Sequence, residues 1–490
     1  MLSENYVAIF YSDVKEYPRH NTTDWFRPPV KYPELNDENI GNNYIYSSVR
    51  ELLYLYKMDA GNYGTLEWNP FGEIIKPGNN VLLKPNMVMD HNQNRKGGTD
   101  CLYTQPAVVV PVIDYVVKAL QGKGKIIIGD APMQECDFER LIDESGYSEI
   151  INYYQEKGIE ILLVDFRELT TKKVIGGLVR NQEIHSGAKG TIIDLGNDSE
   201  FAQYDENHLD KLRITNYSPD RLREHHTLGK HEYYISDYVL NADVVINLPK
   251  PKTHRKAGFT AAMKNMVGIN VRKEYLPHHT MGAISDGGDE YKVPSALKKL
   301  DGKLYDKKNT HEGKNEFCRA AITMLFAGGI KYVTRKACKD YSEGSWYGNE
   351  TISKTITDLN KILLYADKAG QMKDNIQRQV LSIGDMIICG EKEGPVSPSP
   401  RPLGVLVIGQ NSVNFDIVTG TMMGAKIDKI PLLRDIPLNK RYSLRSTLQN
   451  NNVRVISNNE YINNMVITDI SASDKWNLKA TQGWQEVFGK

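Results

Sequence analysis

Residues 80–88, NVLLKPNMV, and residues 125–132, KIIIGDAP, are two short apolar runs that each end in a polar turn. Between them lie a polar, glycine-rich loop (HNQNRKGGTD, 91–100), a helical segment from about Gln105 to Leu120, and a GKGK turn at 122–125. Strand, loop, helix and strand in this order form a βαβ unit, whose crossover is right-handed in nearly all parallel pairs. The alternation continues through a helix from Asp137 to Gly146 and a strand from Ile159 to Asp165. It resumes with the strands DVVINLPK (243–250), LSIGDMIICG (381–390) and GVLVIGQ (404–410) and closes on the helix NFDIVTGTMMG (414–424). The expected fold class is therefore α/β: a mainly parallel sheet with helices on both faces, in one or two lobes around a central cleft.

Working outward, residues 80–425 form the core domain, with 166–230 a polar, irregular insertion or cap. Residues 1–79 flank the core, carrying a short strand at Tyr6–Tyr11 and an amphipathic run around Ser47–Met58, and residues 426–490 extend it. Helices are expected at Lys314–Phe326 and Ser353–Lys368, after a polar loop that runs to about 300. At 490 residues, with 40% hydrophobic and 25% charged side chains, the chain has the profile of an ordinary globular protein able to bury a large core. Its 61 basic and 61 acidic residues balance, so no global field draws it to nucleic acid or an anionic membrane, and any anion site must come from local clustering.

The five cysteines are dispersed and odd in number, without a C-x-x-C pair, which points to reduced thiols in a cytoplasmic setting. The N-terminus lacks a basic region followed by an apolar stretch, and no window of about 18 uninterrupted apolar residues occurs, so neither secretion nor membrane insertion is expected. Oligomeric state is left open.

In open parallel sheets ligands sit beyond the carboxyl ends of the strands. Four strands here end in polar residues: at Lys84 and Asn86, at Asp130, at Lys250, Lys252 and His254, and at the approach to Asp416. Singly, each has a plain structural reading, Lys84 as an exposed strand-end lysine and Asp130 as a helix cap. The segment NLPKPKTH (247–254) through KNMVG (264–268) is harder to dismiss, because it sets Lys250, Lys252, His254, Arg255, Lys256 and Lys264 close together on a proline-stiffened loop. Clustered cations repel unless water or an anion screens them. The start of the following helix, with free N–H groups, would favour the same anion.

His278 and His279 share a loop with Lys273, and histidine suits proton transfer near neutral pH. His225, His226 and His231 match no zinc spacing and are read as surface residues. Asp130, Asp385 and Asp416 could hold a divalent cation through oxygen ligands, or neutralise the lysines. No Walker loop, no G-x-S-x-G elbow and no G-x-G-x-x-G after the first strand is present.

The blocks KPNMV, TQPAVVVPVIDYV, GDAPMQECDFERLIDESGY, NLPKPKTHRKAGFTAAMKNMVGI, GSWYGNETISKTITDLNKILLYAD and IGDMIICGEKEGPVSPSPRPLGVLVIGQNSVNFDIVTGTMMG resemble, in this order, those of the domain of unknown function 362 family across residues 80–425. Many members of that family carry a four-iron, four-sulfur ferredoxin module. This chain departs from them in having no cysteine run, so no iron–sulfur cluster is expected. Standalone members resemble proteins found among sugar and cell-surface polysaccharide biosynthesis functions. The PKPKTH segment followed by His278 is also distantly similar to the nickel-pincer lactate racemases, which set histidines and lysines around a covalently held pyridinium cofactor.

The expected function is an enzyme acting on a small anionic metabolite, a carboxylate or sugar phosphate. Lys84, Asn86, Lys250, Lys264 and Asn265 would bind it, His254, His278 and Lys252 would carry the chemistry, and Asp130, Asp385 and Asp416 would orient lysines or a metal. A metal- or pincer-cofactor-dependent racemase or epimerase, and a non-catalytic anion-binding or regulatory protein, are the alternatives.

Overall fold

The structure is a computed structural model that describes residues 1–20, 24–35, 40–173, 179–183, 188–314, 316–337, 342–436, 441–444 and 452–489. One eleven-stranded sheet organises it. The main path runs Met465–Val466, Arg454–Ser457, Tyr6–Tyr11, Ser397–Gly409, Gln379–Glu393, Val244–Leu248, Asn80–Pro85, Lys125–Asp130 and Ile161–Asp165. From Gln379–Glu393 to Ile161–Asp165 every neighbouring pair is parallel. The long hairpin Gln379–Glu393/Ser397–Gly409 then turns the sheet antiparallel, and parallel pairing returns between Tyr6–Tyr11 and Arg454–Ser457. The fold is α/β with a mainly parallel sheet, and both terminal segments contribute strands to it.

The apolar runs alternate their side chains between two cores because strand residues point to opposite faces in turn. Leu82, Val245, Val405 and Val407 enter one core, while Val81, Leu83, Val244, Ile246, Leu406 and Ile408 enter the other. Helices Ile45–Leu55, Pro106–Leu120 and Tyr147–Glu156 cover the second face, and Thr351–Tyr365 and Ser412–Met422 cover the first. The helix at Phe138–Ser145 begins where Asp137 accepts the Arg140 N–H and ends at Gly146, whose φ of 89° is reached freely by glycine.

Two regions differ from the sequence reading. An additional helix, Ala296–Gly313, begins near the end of the expected loop and pairs in a long hairpin with Phe317–Ala337, the helix expected at Lys314–Phe326. Its lysine-rich first arm has no apolar period to betray it. Of the three histidines read as surface residues, His226 and His231 are buried, because strand Lys230–Ser236 turns His231, Tyr233 and Ile235 inward together. There His226 Nδ1 lies 3.4 Å from His231 Nδ1, and burial pushes the His226 imidazole down to about 3.

A buried ion pair seats the N-terminal segment. Lys250 Nζ donates to Asp385 Oδ2 at 3.0 Å and to the Tyr17 hydroxyl at 2.5 Å, and Tyr17 donates to Asp385 Oδ1 at 2.5 Å. Asp385 also accepts the Gln105 N–H at the head of helix Pro106–Leu120. Both charges are wholly buried. Removing one partner strands the other, so Asp385→Asn should cost about 3–5 kcal/mol in chemical denaturation. The Lys250→Met/Asp385→Leu double variant should recover most of that loss.

Candidate functional site

The loops that follow Asn80–Pro85, Lys125–Asp130 and Val244–Leu248 converge on a cavity of about 230 Å³. Its base is a polar ladder. Lys252 Nζ donates to Asn86 Oδ1 at 2.7 Å and to the Leu102 carbonyl. Asn86 Nδ2 donates to Asn265 Oδ1 at 3.0 Å, and Asn265 Nδ2 bonds the Lys84 carbonyl at 3.0 Å and Asn247 Oδ1 at 2.8 Å. Thr171 and residues 214–217 of the expected cap also line it, as do Pro395 and Val396 of the long hairpin's turn.

Lys84 is wholly buried and pairs with Asp130 at 2.7 Å, while Asp130 Oδ2 accepts the Met87 N–H at 2.7 Å. Gly268 lies directly over this pair: a Cβ there would fall 1.8 Å from Asp130 Oδ1. The glycine of KNMVG is thus required for close approach.

Four lysines face the cavity, and burial lowers each. Lys252 and Lys273 fall to about 7, Lys252 further depressed by the Lys250 charge. Lys256 and Lys264 fall to about 8. Lys256 Nζ donates to Thr215 Oγ1 at 3.1 Å and to the Glu343 carbonyl, and Lys273 Nζ donates to the Ala131 carbonyl at 2.9 Å. Lys264 and Lys273 are partly accessible along the cavity wall, yet sit deep enough for dehydration to penalise their charge.

The two cavity histidines have opposite tautomers, as the hydrogen-bond network assigns them. His254 Nδ1 accepts the Lys256 and Ala257 N–H groups at 3.0 and 3.1 Å, which leaves the proton on Nε2. His278 Nδ1 lies 2.7 Å from the Leu276 carbonyl and must donate to it, which leaves a lone pair on Nε2. Burial and the surrounding lysines hold both well below the usual imidazole range, so both are neutral.

A family model, Domain of unknown function (DUF362), matches residues 81–186 and 195–421. The chain belongs to the DUF362 family. Every cavity residue named above lies within the matched segments of this DUF362 chain. A thylakoid-associated protein of Synechocystis sp. is 26% identical over 197 residues, covering 40% of this chain and 41% of that relative. The chain thus matches about two fifths of that relative's length. No described helix is long and apolar enough to cross a membrane.

Of the expected site residues, Asn86, Asp130, Lys252, His254, Lys264, Asn265 and His278 line the cavity, and Lys84 lies behind it through Asp130. Lys250 does not line it, being consumed by Asp385 and Tyr17. The three aspartates do not converge on a metal. Asp385 is mid-strand in its ion pair, and Asp416 accepts the Ala262 and Met263 N–H groups at 2.7 and 3.2 Å. Among the described residues no group of three His, Cys, Asp or Glu side chains could hold a metal ion. The short helix Ala262–Asn265 is therefore headed by a carboxylate of the chain itself instead of standing open to a ligand anion.

Lys256 and Lys273 belong to the cavity but are not among the expected site residues, although the sequence clusters Lys256 with other cations and sets Lys273 beside His278. Gln134 and Tyr217 also line it, and their sequence surroundings carry no signal of that.

A lysine whose folded pKa is depressed costs stability while charged, and that cost disappears as pH rises from the folded towards the unfolded value. The stability difference between the wild type and Lys252→Met should therefore move in favour of the wild type between about pH 7 and pH 10. Urea denaturation of the two proteins across that range measures it.

Proposed function

We propose that this cavity binds a small anionic metabolite, a carboxylate or a sugar phosphate, and moves a proton on it. The observation that carries the reading is the pair of neutral imidazoles with opposite tautomers, His254 offering an N–H and His278 a lone pair, among four dehydrated lysines. Lysine ammonium groups and His254 Nε2–H hold the anion, each interaction strengthened where water is excluded. His278 Nε2 takes a proton from the bound metabolite. The electron pair left behind is drawn onto a substrate oxygen facing the lysines, and return of the proton completes the cycle.

An arriving negative charge raises the basicity of His278, which the neighbouring lysines otherwise suppress. The cavity volume suits a small metabolite better than the drug-sized ligands of pockets of roughly 300–1,000 Å³. The reading places the protein in the cytoplasm, and the described cysteines, all free thiols, are in keeping with that.

Binding requires charged lysines, so affinity should fall as pH rises through about 7 to 9, by about tenfold or more. Calorimetry with a panel of 2-hydroxy carboxylates and sugar phosphates at both ends of that range measures this. Lys252→Met should lose affinity for whichever compound binds, and equal affinity in the two proteins removes the anion site.

Proton transfer is read by incorporation of solvent deuterium into the bound metabolite. His278→Gln should slow it by about 10²–10⁴-fold with binding retained. Tight binding without exchange in the wild type would favour the non-catalytic alternative. A covalent adduct on Lys252 or Lys273 in protein from its native host would favour the cofactor-dependent racemase.

A further inference from the structure

The hairpin formed by helices Ala296–Gly313 and Phe317–Ala337 is packed in reverse of what a water-facing helix pair requires. The second helix turns its small residues inward: Ala320, Thr323, Ala327 and Thr334 are buried. Its large apolar residues face out, with Leu325 75% exposed, Phe326 67%, Tyr332 61%, Ile322 57% and Val333 48%. Positions 322, 325, 326, 329, 332 and 333 recur at intervals of three and four, so they form one continuous stripe along the helix. Single exposed apolar residues are ordinary, but a stripe of large ones along one helix marks a surface that something covers.

The charges on the same hairpin are one-sided. Among the described residues, every exposed charged side chain on its two helices is basic: Lys299, Lys303, Lys307 and Arg319. Lys299, Lys303 and Lys307 are spaced by four and share a face, with Leu300, 44% exposed, beside them. Of the acidic groups, Asp306 pairs with Arg213, Glu312 with Lys308 and Glu316 with Arg319, and Asp301 is half-buried. In a chain with net charge zero this is a strong local asymmetry.

We propose that this hairpin docks on the surface of a bilayer containing anionic lipid. The stripe from Ile322 to Val333 enters the headgroup boundary, and the lysine row lies against the phosphates. Large apolar side chains combined with a lysine-rich exposed surface are the chemistry of an interfacial helix, which lies in the membrane plane and does not span it. A second copy of the chain fits less well, because it would bring a like-charged lysine row to the same contact. The proposal concerns a surface apart from the cavity and stands independently of the reaction assigned there.

Sedimentation of the full chain with phosphatidylcholine vesicles, with and without phosphatidylglycerol, tests it. Binding is expected to the mixed vesicles, to weaken with added salt, and to be poor on phosphatidylcholine alone. The Leu325→Ser/Phe326→Ser double variant replaces exposed side chains, so circular dichroism should match the wild type while vesicle affinity falls by about tenfold or more. Lys299→Gln/Lys303→Gln/Lys307→Gln should weaken binding and flatten its salt dependence. Equal binding by wild type and both variants overturns the proposal, as does failure of the wild type to sediment with either vesicle. A soluble dimer that the Leu325→Ser/Phe326→Ser change dissociates, in place of vesicle binding, assigns the stripe to a second copy and overturns it as well.

Discussion

The contact between Lys84 Nζ and Asp130 Oδ1, 2.7 Å long and almost wholly withdrawn from water, joins the ends of two neighbouring parallel strands at the floor of the cavity. Each charge would be costly alone, by several kcal/mol even after relaxation, and together each offsets the other's loss of water. Lys84 also reaches the Pro85 carbonyl, and Asp130 accepts the Met87 N–H. The pair dictates its surroundings. Gly268 must lack a side chain to pass over it, and the Gly268 carbonyl then accepts the Ala131 N–H, which ties the KNMVG turn to the loop after Lys125–Asp130. Lys264 and Asn265 are carried to the cavity by that tie.

A division of labour among the cations follows from which of them have carboxylates. Lys84 and Lys250 are matched one to one with Asp130 and Asp385 and serve the fold. Among the described residues, Lys252, Lys256, Lys264 and Lys273 have no carboxylate within ion-pair distance and rest on carbonyls, amides and hydroxyls, or face the cavity. Their charge is paid for only partly by the chain, so an incoming anion gains what a fully compensated site would withhold. Burial, with these lysine charges, keeps both cavity histidines neutral, and neutrality lets one donate while the other accepts.

The helical hairpin at 296–337 obeys a different constraint. Nothing in the described structure covers its apolar stripe, and its buried face is made of alanine and threonine, so its outward residues contribute little to folding. Retaining large apolar side chains in water on one helix, beside a partner helix with a row of exposed lysines, makes physical sense where the surroundings are not water alone. The cavity and the hairpin thus set their cations differently, one group recessed beyond the strand ends and one spread over a surface.

The alternation of apolar runs and helical periods in the sequence was enough to specify the α/β class, the parallel half of the sheet and the convergence of strand ends at Asn86, Asp130 and Lys252–His254. These are local properties, since a period of two or of 3.6 residues is written within a dozen positions. The sequence also marked the lysine-rich loop as a candidate, but not the close approach at Gly268. It did not show which lysines are neutralised, because Lys250 finds Asp385 across 135 residues and Tyr17 across 233, and composition alone treats Lys250 and Lys252 alike. Nor did it show the inward turn of His231, the loss of Asp416 to the head of a four-residue helix, or the opposed tautomers of His254 and His278. Those depend on which backbone groups lie within hydrogen-bond distance of each side chain. Only the packed tertiary structure decides that, because a buried polar group takes whichever partner the fold brings to it.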